Sequence, residues 1–244
     1  MPALSAFKAA AGVILVPPPS GGDIAVAELD SGKASVNSDT LTMNSFTPTA
    51  NVLVLISISY GSAAPDGGWT PTIGTSNGTD WVLVAVQNQT AGGEERTAVF
   101  RGMASSPVAA APVATFGANQ RAWMWTVHEL TNVDTTGTFG SGAVVQSDGA
   151  QTLGGTSIET VLAAFGDATN NVAWLTTGES VNDNAIFTHT PAGSLIEIFD
   201  DWLSRADTFG ISANWQKGED LSPGNSVTKT NNIGAVAIEI KKAA

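Results

Sequence analysis

Alternating and continuous apolar runs punctuate this chain from residue 24 onward, and they predict strands. The strongest is NVLVLISISY (Asn51–Tyr60), β-branched and continuous before it alternates, as expected of a central strand in a packed sheet. WVLVAVQNQ (Trp81–Gln89), Arg96–Met103 and RAWMWTVHEL (Arg121–Leu130) follow in the same style, after a weaker alternation at Ile24–Leu29. Further strands are predicted at Ala143–Gln146, Ser157–Phe165, Asn171–Thr176, Phe209–Trp215 and Ile233–Ile240. Between them lie clusters such as Ala64–Gly68, Ser76–Asp80 and Ser222–Asn225, whose Gly, Asn, Asp and Pro residues supply the backbone angles of tight turns. Only Ile196–Ala206 (IEIFDDWLSRA) also fits a helix, and a bent strand with a charged outer face fits it equally. The expected fold is all-β: an antiparallel β-sandwich, jelly-roll-like, rather than a series of βαβ units.

A duplication of pattern runs through the chain. AVFRGMA followed by PVATFGANQRAWMWTVHEL in the first half parallels FGISANWQKG followed by SVTKTNNIGAVAIEIKK in the second. Each is a strand, a loop, a short Val-led strand and a long apolar strand ending in an acid. The match is in pattern more than identity, and it suits two halves closing one sandwich.

The amino end differs. Met1–Gly22 (MPALSAFKAAAGVILVPPPSGG) joins the apolar run Val13, Ile14, Leu15, Val16 to the stiff spacer Pro17, Pro18, Pro19. Two readings stand side by side: an extended arm that docks onto a neighbouring subunit, or an edge strand of its own domain. A secretory signal fits less well, because the basic region is a single Lys8 and a small-x-small cleavage pattern is missing from its usual place. The organisation expected is an arm over residues 1–22 and one large sandwich domain over 23–244, with residues 23–46 assignable to either.

Composition narrows the chemistry. The 244 residues include no cysteine, which removes disulfides, thiolate metal sites and a cysteine nucleophile. Charged residues are 13%, about half the usual share, so the polar surface must come from Thr, Ser, Asn, Gln and Gly. A net charge of −12 disfavours binding to phosphate backbones. No apolar run approaches the roughly 18 residues of a membrane-spanning helix. Nucleic-acid and membrane partners are therefore not expected.

Candidate catalytic groups do not assemble from the sequence. His128 reads as a structural strand residue, facing the polar side of its sheet, and His189, in the turn Phe187–Pro191, as a surface residue. The pairs Glu94–Glu95, Asp200–Asp201 and Glu219–Asp220 are adjacent, and neighbours on a strand point to opposite faces, so none forms an acid–base couple by itself. No cofactor is expected; Asp66–Gly67 and Asp183–Asn184 are weak calcium candidates that read better as turns. Of the seven tryptophans, Trp123 and Trp125 share one strand face and read as core, whereas Trp69, Trp81 and Trp202 adjoin polar loops and are candidates for stacking on sugar rings.

A long apolar strand, the loop Gly67–Thr70, a strand opening at Trp81, the ending Phe100–Ala104 and the closing run Val127–Val133 together resemble all-β virion structural proteins of tailed bacteriophages and prophages, of head-decoration, head-spike or fibre type. The resemblance spans roughly Ala50–Lys242 and supplies no catalytic residues. It implies a non-enzymatic protein on the particle exterior that contacts other virion proteins; the low-charge, hydrogen-bonding surface in turn suits homo-oligomers of cyclic symmetry, trimeric or pentameric. The arm, through Val13–Val16 and Pro17–Pro19, would attach it. The alternatives are a carbohydrate-binding module or host-glycan adhesin using Trp69, Trp81 or Trp202, and a secreted bacterial surface domain.

Overall fold

The computed structural model describes residues 22–62, 69–181, 187–204 and 208–244. Among these residues there is no helix. Thirteen strands run in the order β1 (Ala25–Ala34), β2 (Ser38–Thr42), β3 (Leu53–Ser62), β4 (Thr72–Ile73), β5 (Val82–Asn88), β6 (Glu95–Gly102), β7 (Val113–Thr131), β8 (Val144–Glu159), β9 (Val172–Val181), β10 (His189–Pro191), β11 (Ile196–Leu203), β12 (Thr208–Lys217) and β13 (Gly224–Ile240).

The strands form two antiparallel sheets packed face to face, so the β-sandwich expectation is borne out. The first sheet has the order β1-β7-β3-β6-β5, and the second β8-β13-β9-β12-β11. The leading part of β7 lies between β2 and β4, and the leading part of β13 lies between β8 and β10. Each sheet is thus one contiguous half of the chain with the same topology as the other. A jelly roll would instead draw each sheet from both halves. Residues 25–42 pair with β7 and belong to the sandwich. The segment Ile196–Leu203 is a bent strand, with a bulge between Glu197 and Phe199.

Register makes the correspondence of the halves residue-specific. Leu53 lies opposite Leu130, and Val172 opposite Ile240. Val54 lies opposite Gly102, and Ala173 opposite Gln216. β5 and β11 carry bulges at matched places, Leu83/Ala85 and Glu197/Phe199. The contacts between sheets exchange halves in the same way: β6 packs on β9 and β13, while β12 packs on β3 and β7. The arrangement is a pseudo-two-fold stack, although β3 and β9 share no residue at matched positions.

Both sheets are covered on both faces, which explains the unbroken burial of β3. One face of β3 and β7 presents Val54, Ile56, Ile58, Trp123, Trp125 and Val127 to an outer cluster closed by Leu41, Phe46, Ile73 and Trp81. The other face presents Leu53, Leu55 and Leu130 to Trp174, Val236 and Ile238 of the second sheet. A third cluster, with Leu175, Ala235 and Ala237 beneath Leu162, Phe165, Phe187 and Leu195, covers the far side of the second sheet. A buried side chain of this size contributes about 1.5–3 kcal/mol.

Mid-way between the sheets the contact turns polar. The Ser57 and Thr176 hydroxyls, on matched positions of β3 and β9, hydrogen-bond to one another at 2.8 Å. Gln89 Nε2 donates to Ser59 Oγ (2.9 Å) and Thr97 Oγ1 (3.2 Å), and Thr97 donates to the Gly234 carbonyl (3.1 Å). Trp174 Nε1 donates to Thr176 Oγ1 at 3.0 Å. Gly178 lets this seam close. A Cβ there would lie closer than 3.0 Å to Thr97 Oγ1, Gln89 Nε2 and Ser59 Oγ together. Gly178→Ala is expected to lower unfolding free energy in urea by about 2–3 kcal/mol. Gly166→Ala, where an added Cβ meets nothing within 4 Å, is expected to change it by no more than about 0.5 kcal/mol.

Candidate functional site

The two halves share a backbone plan but not the chemistry of their outer faces. In the first half, Ile58, Tyr60, Val86, Ala98 and Phe100 build an apolar layer. The register places Thr177, Glu179, Asp200, Ser212 and Asn214 at the matched positions of the second half. Replacing an apolar layer by a buried polar one removes hydrophobic stabilisation, so this cluster is the first place to look for function.

At its centre is His189, a correction to the surface position expected from its turn-like sequence: the side chain is fully buried. β10 holds the ring between two carboxylates. Nδ1 lies 2.5 Å from Asp200 Oδ1, and Nε2 lies 2.5 Å from Glu179 Oε2, the latter an ion-pair contact off the line of the ring N–H. Phe187 packs edge-on against the ring at 5.6 Å. Burial alone would lower the imidazole pKa, but the charges of Glu179 and Asp200 and the hydrogen bond to Asp200 outweigh it and raise the value to about 10. His189 is therefore an imidazolium at neutral pH. Beside it, Thr177, Ser212 and Asn225 close a hydroxyl–amide network with bonds of 2.7–3.1 Å. The cluster ties β9, β10, β11, β12 and β13 together beneath closed packing, and its chemistry is that of an internal lock.

The other sequence candidates are placed as follows. His128 is buried between the sheets, not on a polar side, edge-on to Trp174 (5.3 Å) and Phe199 (6.5 Å), and burial lowers its pKa to about 4. Glu95 is buried and joins three strands, accepting from Arg121 (2.9 Å) and from the Ser180 hydroxyl. Glu94 accepts from Thr90, Glu219 from the Phe165 amide and Asp220 from the Ser222 amide. Asp200 and Asp201 point apart, as adjacent strand residues must: Asp201 meets Lys33 of β1 at 2.6 Å, closing one side of the sandwich. The acids ending the two long strands play one role twice. Glu129 accepts from the Thr49 amide and hydroxyl, and Glu239 from the Gly166 amide, Asn171 and Gln146. Among the described residues no cluster of three or more His, Asp or Glu converges as a metal site. Asp66–Gly67, Asp183–Asn184 and the arm residues Val13–Val16 and Pro17–Pro19 lie outside the described residues.

The tryptophans separate clearly. Trp123 and Trp125 are core, as expected. Trp81 is also core, a correction to its candidacy for sugar stacking. Its ring meets Phe46 edge-on and its Nε1 donates to Ser76, so neither face is open. Trp202 is half-buried under Lys33, whose ammonium lies 5.7 Å from the ring centre and donates to the Trp202 carbonyl. Trp69 alone of the three candidates is exposed, at 38%. A cleft of about 690 Å³ opens at the end of β13, lined by Asp167, Asn170, Glu239, Lys241 and Lys242, but Lys241 is paired with Asp134 at 2.6 Å and Glu239 is already bonded. Sequence reasoning missed the Glu179–His189–Asp200 lock. Its one local signal was a lone acid in the otherwise uncharged strand Val172–Val181, which burial obliges to find a counter-charge.

The two histidines set opposite pH dependences. His189 has a folded pKa above its unfolded value of 6.5, so its stabilisation is complete below pH 6.5 and is lost as pH rises toward 10. His128 has a folded pKa below 6.5, so stability falls as pH drops from 6.5 toward 4. His189→Gln is expected to cost about 3 kcal/mol at pH 6, shrinking by pH 10, because it leaves Glu179 buried and unpaired. His128→Phe is expected to remove up to about 3 kcal/mol of acid sensitivity between pH 7 and 4. Urea titrations across pH check both. Compared with known proteins, the chain matches no family model, no curated protein and no solved structure.

Proposed function

We propose that this chain is a non-enzymatic structural protein of the exterior of a phage-like particle, a capsid-decoration or spike/fibre subunit that works through contacts with its own copies and with neighbouring virion proteins. The observation that carries the reading is the use made of its ionisable groups. Glu95, Glu129, Glu179, Glu239 and His189 each fasten separate segments of one sandwich, and their chemistry is committed to holding shape.

The edges support the same reading. A protein packed at high local density must not add strands indefinitely to a neighbour's sheet. The edge strands β1, β5 and β11 each carry a bulge, and β8 pairs with β13 through three register shifts. Side-chain ties also cross between edges of opposite sheets: Lys33 to Asp201 on one side, and Gln151 Nε2 to the Thr90 carbonyl, 2.8 Å, on the other. Bulges and ties of this kind blunt strand addition and leave surface contacts and the arm as the routes to assembly. A low-charge surface rich in hydroxyls and amides forms wet, hydrogen-bonded subunit contacts with little desolvation cost.

The experiment is attachment with and without the arm. Full-length protein is expected to sediment as a discrete oligomer or to bind the particles it comes from. The chain lacking residues 1–22 is expected to lose that association while keeping its β circular-dichroism spectrum and urea midpoint. Association unchanged by the deletion would remove the arm from the account.

A further inference from the structure

The exposed end of the first sheet carries a row of threonine hydroxyls, of which Thr40 Oγ1 lies 3.3 Å from Ser38 Oγ. There the leading part of β7 runs between β2 and β4. Thr40, Thr115 and Thr72 stand directly opposite one another across the three strands, all exposed, while Leu41, Ala114 and Ile73 beside them point inward and are buried. One step along β7 on the same face is Val113, opposite Thr42; one step the other way is Gly117. The Trp69 ring lies on Gly117, so that a Cβ at 117 would collide with its six-membered ring.

This indole is held in place. Its backbone carbonyl accepts from Tyr60 Oη at 2.8 Å, and Tyr60 packs on Phe116 (4.9 Å), which stacks on Trp123 (5.8 Å, 6° between planes). One ring face is sealed on the glycine backbone while 38% of the residue remains exposed. From Gly117 to Val113 the face extends about 14 Å. From Gly117 to Val113 the residues of this face of β7, with Thr40, Thr42 and Thr72 beside them, are uncharged; the exposed Asp39 adjoins Thr40 at the register shift of β2, and Arg121 lies further along β7, paired with Glu95.

From this geometry we infer that the Trp69–Thr115 face is a binding platform for a neutral oligosaccharide. A pyranose presents an apolar C–H face and a rim of hydroxyls. The first matches a rigid, half-exposed indole, and the second a row of groups that both donate and accept. Sulfated or sialylated sugars would find no cation on the platform and would meet a chain of net charge −12. The second half supplies an internal control. Ser157, Ser226 and Thr190 form the matched hydroxyl row, but Phe187, which takes the place of Trp69, is buried. The hydroxyl row occurs twice and the open ring once, so the inference selects the first half. It does not rest on the particle reading.

The test is titration of full-length protein with cellotetraose, maltotetraose, laminaritetraose and chitotetraose, using 3′-sialyllactose and a heparin tetrasaccharide as acidic comparators, read by calorimetry and by tryptophan fluorescence. At least one neutral tetrasaccharide is expected to bind with a Kd of about 1 mM or tighter, and the acidic sugars more weakly. Trp69→Ala and, independently, the exposed Thr115→Arg are expected each to weaken binding by roughly tenfold or more with an unchanged circular-dichroism spectrum. Ser226→Arg, on the matched row, is expected to leave it unchanged. The proposal is overturned if no neutral sugar binds, if binding survives both first-half variants, if Ser226→Arg is equally damaging, or if the acidic sugars bind best.

Discussion

A sheet covered on both faces must satisfy its polar groups from within, and this constraint governs the molecule. β3 and β9 lie at the centre of their sheets with essentially no exposed residue, and where they cross the packing is a seam of hydroxyls and one amide rather than a continuous apolar layer. Each buried hydroxyl costs stability unless paired, so the Ser57–Thr176 and Thr97–Gly234 bonds fix the relative placement of the sheets to within a hydrogen-bond length, and Gln89 holds Ser59 and Thr97 in place beside them. Apolar contacts alone would tolerate sliding; directional bonds do not.

The pseudo-two-fold plan explains why the seam sits where it does. A position near such an axis faces its own counterpart, and Ser57 and Thr176 can pair because each both donates and accepts. Away from the axis the halves are free to diverge. The first half filled its outer face with Ile58, Tyr60 and Phe100, while the second placed Glu179, His189, Asp200 and Asn214 on the same frame. A charged lock is weak evidence for stability by itself, because desolvation opposes the attraction. It does fix β10 and β11 against β9 more specifically than apolar packing would.

Much of this fold was legible from the sequence. β3, β5, β6, β9 and β12 coincide with the predicted strands to within a few residues, because continuous or alternating β-branched runs report burial directly. β7 was visible only as two pieces, since Gly117–Gln120 breaks the apolar pattern while the backbone continues through it. The glycine-containing middle of β8, residues 147–156, gave no signal, because its strand character comes from pairing with β13 rather than from its own side chains. His189 was misread because Thr-His-Thr-Pro is turn-like locally, whereas its carboxylate partners lie 10 and 11 residues away on other strands, and only the sheet brings them together. Trp81 was misread for the converse reason: a tryptophan beside a polar loop is open or closed according to what covers it, here Phe46 from a distant segment. Trp69 stays open because Gly117 takes only one of its faces.

The central claim is that the polar seam welds two independently hydrogen-bonded sheets into a single cooperative body. Native-state hydrogen–deuterium exchange, resolved by peptide, tests it most directly. The amides of β3 and β9 are expected to be the slowest in the chain and to exchange with one common opening free energy, equal to that of global unfolding. If the second half exchanged through its own lower-energy opening while β3 stayed protected, the sheets would be separate units and the account would be contradicted.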